Sequence, residues 1–221
     1  MRVSGGRWWL VMLGLAVGFA VLVALPVPGV PGIWVRALGF VAIPLAVYAR
    51  AVPGRWRVIF PRPRALDPVW ALGFAMVGVL VLLGLGILLA GAADFSPNPL
   101  GGELLGMTPA ERVLTFLALV PQLLGEELLA VLPFLALLSW LGRLRLSAGA
   151  AVALAGLGAV LLFSAAHLPT YDWNLLQCFV VVGAARVVLL AAYVTTGSVW
   201  VSAAAHLLVD WSLLGLIVAV G

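Results

Sequence analysis

The sequence predicts an all-α fold, a polytopic membrane helix bundle of about seven transmembrane helices. Three observations carry this expectation. Hydrophobic residues make up 65% of the chain and charged residues only 9%, whereas soluble domains run near a quarter charged. Apolar runs long enough to cross hydrocarbon recur along the whole chain. The segments between them are short and rich in proline, glycine and arginine, as turns and interfacial loops require. No polar stretch is long enough to be a separate soluble domain. The chain therefore reads as one integrated membrane domain, with N-terminal helices in 1–108 and a second half in 109–221.

The first run, Trp8 to Leu25, follows Arg2 and Arg7. It is about 27 Å long as a helix, just enough to span. Its length, its tryptophan pair and the absence of a small-x-small site before Pro26 favour a retained span over a signal peptide. Pro26, Pro28, Gly29, Pro31 and Gly32 make a tight turn, and a second span runs from about Ile33 to Tyr48. Arg36 near its start can snorkel to the interface. The loop that follows carries Arg50, Arg55, Arg57, Arg62 and Arg64. It reads as a cytoplasmic topology signal in preference to a lipid-headgroup site.

A third span is expected from about Asp67 to Ala92, and the acidic segment Asp94 to Glu111 reads as an external loop. Thr108-Pro109-Ala110-Glu111 has the form of a helix start, with an N-cap threonine, proline at N1 and glutamate at N3. The fourth stretch, Arg112 to Leu141, is longer than one span needs and contains Pro121 and Pro133. It is expected to be broken or kinked there. After Arg143 and Arg145, a second basic loop, come a fifth span from about Ser147 to His167 and a turn from Pro169 to Asn174. A sixth span then ends near Tyr193, and a seventh runs from about Ser198 to Val220. The arginines place the N-terminus inside and, after seven crossings, the C-terminus outside.

All twelve basic residues are arginine. Their loop positions account for the net charge of +4 without invoking a nucleic-acid surface. The single cysteine, Cys178, excludes an intrachain disulfide and a cysteine-based zinc cluster, and reads as a small core residue.

Against this apolar background a few residues stand out. Glu126-Glu127 lies between the two prolines of the fourth stretch, and ionisable groups inside a membrane segment are costly and by default functional. His167, Arg186, His206 and Asp210 lie in or beside the later spans, and the two histidines are the only ones in the chain. Phe163 and His167 are four residues apart, as are His206 and Asp210, so each pair shares one helix face. Three helices thus each offer a polar face. A glutamate, two histidines and an aspartate can form a zinc site, a metal-free hydrolytic site or a proton relay. Singly, each residue is as well explained by structure: a membrane histidine bonding between helices, Asp210 orienting His206, Arg186 serving as a counter-ion.

The order Glu126-Glu127-Leu128-Leu129-Ala130-Val131, then Phe163-Ser164-Ala165-Ala166-His167, then His206-Leu207-Leu208-Val209-Asp210, each on its own helix, resembles the CAAX-processing and bacteriocin-processing (CPBP, or Abi) intramembrane endopeptidases. Thr196-Gly197-Ser198-Val199-Trp200 is similar to the family's lead-in to the last motif, and the resemblance extends over about Pro109 to Leu214. It implies a hydrolase, a glutamate protease without a cofactor. Glu126 would activate water with help from His167, and His206 with Asp210 would stabilise the oxyanion. Glu127 and Phe163 would support the site. A zinc reading of Glu126, His167 and His206 ranks second.

Two departures from the family pattern bear on these roles. The first motif usually ends in arginine, but position 131 is valine, so Arg186 is expected to take over as counter-ion to Glu127. Asp210 stands where asparagine is common, and an ionised aspartate accepts but does not donate. It must be protonated, or else hold the tautomer of His206. The expected function is peptide-bond hydrolysis in or near the bilayer of a bacterial cell membrane, on a peptide or membrane-protein substrate and with no nucleic-acid partner. The alternatives are an inactive scaffold or regulator of the same family, favoured by Val131, and a proton-coupled transporter. The transporter is disfavoured by the absence of a polar repeat in the N-terminal half. The charge-based topology puts His167 near the external face, which argues against a prenylated cytosolic tail as substrate.

Overall fold

The computed structural model describes residues 5–54, 56–91 and 94–220. Arg2 and Arg55 of the topology argument, and the expected end of the third span at Ala92, lie outside the described residues. The described residues are all-helical, with no strand, and seven helical segments are long and apolar enough to cross a membrane. The helices are α1 (Gly5–Ala24), α2 (Gly29–Ala51), α3 (Asp67–Leu88), α4 (Pro99–Gly106), α5 (Pro109–Leu141), α6 (Ala148–Ala166), α7 (Gly183–Thr196) and α8 (Val199–Val220). They form two compact units: one from Met1–Arg62 with Val113–Ala159, the other from Pro63–Arg112 with Val160–Gly221.

In the first unit α1 packs along α2. Trp8, Val11, Leu15 and Gly18 recur at three- and four-residue steps and are buried, which gives α1 one contact face. Trp8 stacks on Tyr48 with ring centroids 6.3 Å apart, and Arg7 donates to the Ala51 carbonyl at 3.3 Å. Those contacts fix the pair as antiparallel. Arg36 turns back to the Val27 carbonyl at 3.0 Å, closing the intervening turn. Within the same unit α5 meets α2 at Gly125, where an added Cβ would lie 2.6 Å from the Phe40 ring.

The fourth stretch is not interrupted at its prolines. α5 is one 33-residue helix with both prolines inside it, about 50 Å long. Pro121 and Pro133 cannot donate to the carbonyls of Leu117 and Leu129, a cost of about 3 kcal/mol each. From Glu127 to Phe134 every residue is buried, and a helix buried all round is held by packing more than by its own ladder.

In the second unit Ala71, Ala75 and Gly78 form the buried face of α3, set against Leu189 of α7 and Ala205 and Val209 of α8. These small residues allow the close approach that membrane packing relies on. The opposite side of α3 leaves Met76, Leu80, Leu83 and Ile87 exposed, an apolar surface suited to lipid. The loop read as external contains a helix, α4, that the sequence reading did not identify. Its start repeats the Thr108-Pro109 signal: Asn98 accepts from Leu100 N–H at 3.0 Å and Pro99 follows at N1. The expected start of α5 is present: Thr108 N–H and Oγ1 donate to Glu111 Oε2 at 2.9 and 2.7 Å.

Between α6 and α7 the chain makes a turn whose Asp172 and Trp173 both have positive φ. Ser96 Oγ donates to Asp172 at 2.9 Å, and Ser96 and Gln177 exchange two further bonds at 2.9 and 2.8 Å. Gln177 opens a π-helical segment, Gln177–Val182, before α7. Gly197, at φ +69, ends α7 in the left-handed conformation that glycine tolerates best.

Candidate active site

In the first unit the two glutamates differ in burial. Glu127 is fully buried, whereas Glu126 is partly exposed. Adjacent helical positions are about 100° apart, so the pair splits between the interior and a more open face. Gln122, one turn earlier, approaches Glu126 with Nε2 3.4 Å from Oε1. The sequence reading passed over Gln122. The signal was there: a polar residue four positions before a membrane glutamate shares its face. Val131 is fully buried.

The second unit joins Phe163, His167, Arg186, His206 and Asp210 in a chain of contacts. α6 ends at Ala166, and there the His167 N–H turns to the Ser164 carbonyl at 3.1 Å instead of continuing the helical ladder. The Phe163 carbonyl is met by the His167 ring, with Nδ1 at 2.9 Å. A carbonyl only accepts, so Nδ1 carries the proton, and in the neutral ring Nε2 keeps its lone pair. The Phe163 and His167 rings lie 4.5 Å apart, and the Tyr171 ring is stacked with that of His167 at 6.4 Å. Tyr171 was also missed, though it too stands at a four-residue step.

Gly183 begins α7, where an added Cβ would lie 3.1 Å from Ser164 Oγ. The glycine keeps α7 close to the end of α6. One turn on, the Arg186 guanidinium lies 4.0 Å from the Phe163 ring centre, within the range of a cation–π contact. Arg186 is 1% exposed. Its NH2 group is 3.1 Å from His206 Nδ1. An arginine has donors only, so His206 Nδ1 accepts and the proton of this ring is on Nε2. His206 Nε2 lies 3.7 Å from Asp210 Oδ1, within ion-pair reach but longer than a hydrogen bond. His206 is 7% exposed and the Asp210 side chain 31%.

This arrangement bears on the zinc reading. A histidine ligand must offer a bare ring nitrogen, and the other nitrogen of a metal-bound histidine normally donates. His206 does the reverse, since its bare nitrogen is taken by Arg186 and its outer nitrogen carries the proton. The set Glu126, His167 and His206 therefore does not suit a metal at His206. Among the described residues no group of three or more His, Cys, Asp or Glu side chains is placed to hold a metal ion.

A chain whose described residues are all helical, with seven helices long and apolar enough to span, belongs to the class of integral membrane proteins. Comparison with protein families narrows the class. A family described as "Type II CAAX prenyl endopeptidase Rce1-like" matches residues 108–212. The match begins at the N-cap of α5, ends on α8 and encloses all three motifs. Residues 108–212 thus match a CAAX-protease family, the family that the three motifs resemble. Comparison with curated proteins and with solved structures gave no match.

Proposed function

We propose that the chain is an intramembrane endopeptidase that hydrolyses a peptide bond in or beside the bilayer. The observation that carries this reading is the family match over 108–212, with Glu126-Glu127, Phe163/His167 and His206/Asp210 inside it on α5, the end of α6 and α8.

In the proposed reaction Glu126 takes a proton from water, and His167 Nε2 is proposed as a second acceptor. The water oxygen adds to the substrate carbonyl carbon, and the displaced electron pair goes to the carbonyl oxygen. His206 Nε2–H donates to that oxyanion, and Asp210, when protonated, donates beside it. Collapse breaks the C–N bond, and the amine leaves with the proton that Glu126 returns. Glu127 and Phe163 are proposed as supporting residues of the site. No metal or other cofactor is required.

The matched family is named for prenylated CAAX substrates. For this chain the arginine-rich loops favour a site opening to the other side of the membrane, so the proposed substrate is a peptide or membrane-protein segment. The test compares peptides from cells making the wild-type protein and Glu126→Ala. A fragment present only with the wild type, and lost again with His206→Ala while both variants remain folded, is the expected result. An unchanged peptide inventory would sink the reading.

Val131 supports one competing reading, an inactive relative that acts as a membrane scaffold. A scaffold keeps its cellular phenotype in Glu126→Ala and His206→Ala, whereas a protease loses it.

A further inference from the structure

The two histidines of this chain have opposite hydrogen-bonding environments. His167 faces a backbone carbonyl through Nδ1 at 2.9 Å, and His206 faces a guanidinium through Nδ1 at 3.1 Å. The carbonyl requires a proton on that nitrogen and the guanidinium requires a lone pair. In their neutral forms, His167 then presents a bare Nε2 and His206 presents an Nε2–H. One ring suits proton acceptance and the other suits donation to developing negative charge.

The device that sets His206 is built in. Arg186 is 1% exposed. Its guanidinium lies 4.0 Å from the Phe163 ring centre, and the same Phe163 supplies the carbonyl that orients His167. Phe163 therefore steadies both histidines, one through its backbone and the other through its ring and Arg186. This gives the phenylalanine of the second motif a physical task.

We propose that Arg186 is a positioning residue that holds His206 as the Nε2–H tautomer, so that the ring can donate to the oxyanion of the peptide being cleaved. The role rests on the endopeptidase reading for its purpose, but not for its physical content. It acts through His206 and needs no contact between Arg186 and substrate.

The test exploits the histidine count of two. Protein labelled with 15N-histidine, in lipid nanodiscs, gives two imidazole spin systems, which His206→Gln assigns. The expected wild-type spectrum has His206 protonated on Nε2 with a bare Nδ1, and His167 protonated on Nδ1. Arg186→Met should mix the His206 tautomers and leave His167 as it was. Arg186→Lys, which still donates, should restore the Nε2–H form. In cells the fragment that depends on Glu126 should fall by roughly 10²-fold in Arg186→Met, the scale of a lost oxyanion donor, and recover in part with lysine.

An Nδ1–H tautomer on wild-type His206, or a His206 spectrum indifferent to Arg186→Met, overturns the proposal. Should Arg186→Met fail to fold, the wild-type and lysine spectra decide in the same terms. The two readings fail separately. A wild-type protein that cleaves nothing but keeps an Arg186-dependent tautomer sinks the endopeptidase reading alone. One that cleaves normally with an Arg186-independent tautomer sinks this inference alone.

Discussion

Asp210 shows how much a tenth of a nanometre decides at the scale of a residue. At 3.7 Å from His206 Nε2, its carboxyl is about 0.8 Å beyond the usual N–H to O separation. Arg186 already dictates the ring's tautomer from the other nitrogen at 3.1 Å. Orienting His206 therefore does not require a carboxylate at position 210. Asp210→Asn, which keeps the shape and supplies a permanent donor, is expected to retain cleavage within roughly tenfold, measured as fragment yield. A loss on the order of 10² or more, the scale of a missing oxyanion donor, would instead assign the carboxylate itself an essential role. Glu126 and Glu127 make a related point. Neighbours in sequence, they differ in exposure because a helix rotates each residue away from the last, and the proposed base is the partly exposed Glu126.

Among the elements, α5 depends on a small residue next to its glutamates. Gly125 lies beside the glutamates, and a Cβ there would stand 2.6 and 2.9 Å from two atoms of the Phe40 ring. A ring held in a packed face cannot yield as a flexible chain would. Gly125→Ala is expected to cost about 1–3 kcal/mol, the range for overpacking, and to lower the thermal midpoint in detergent. Adding Phe40→Val should recover most of that loss, and a midpoint unchanged by Gly125→Ala would refute the close-contact account. The π-helical segment Gln177–Val182 is the other telling element. It takes an extra residue per turn, a feature often found at functional sites. At its start Gln177 holds Ser96, and beyond its end α7 presents Arg186 to His206.

For the molecule as a whole, the side of the membrane that each loop faces decides which substrates can reach the site. The arginine count assigns Arg57, Arg62 and Arg64 to the cytoplasm and the segment around α4 to the outside. Cys178 is buried, so it adds little background to thiol labelling. Arg62→Cys is expected to react only after permeabilisation, and Gly102→Cys in intact cells. The reverse pattern would invert the topology and restore a cytosolic prenylated tail as a substrate candidate.

The seven spans, the capping box at Thr108 and the three motifs were legible in the amino-acid sequence, because apolar length, N-cap chemistry and four-residue spacing are local properties. α4 was missed although Asn98-Pro99 carried the same local signal, since eight helical residues leave little periodicity to read. The continuity of α5 through Pro121 and Pro133 was not legible, because it depends on burial supplied by other parts of the chain. By itself the sequence determined a helical membrane protein and the residue types of its candidate chemistry. Only the tertiary structure decided that Arg186 meets His206 while the Phe163 carbonyl meets His167. Those contacts determine which nitrogen of each imidazole carries the proton, and a ring's tautomer is set by its neighbours in space.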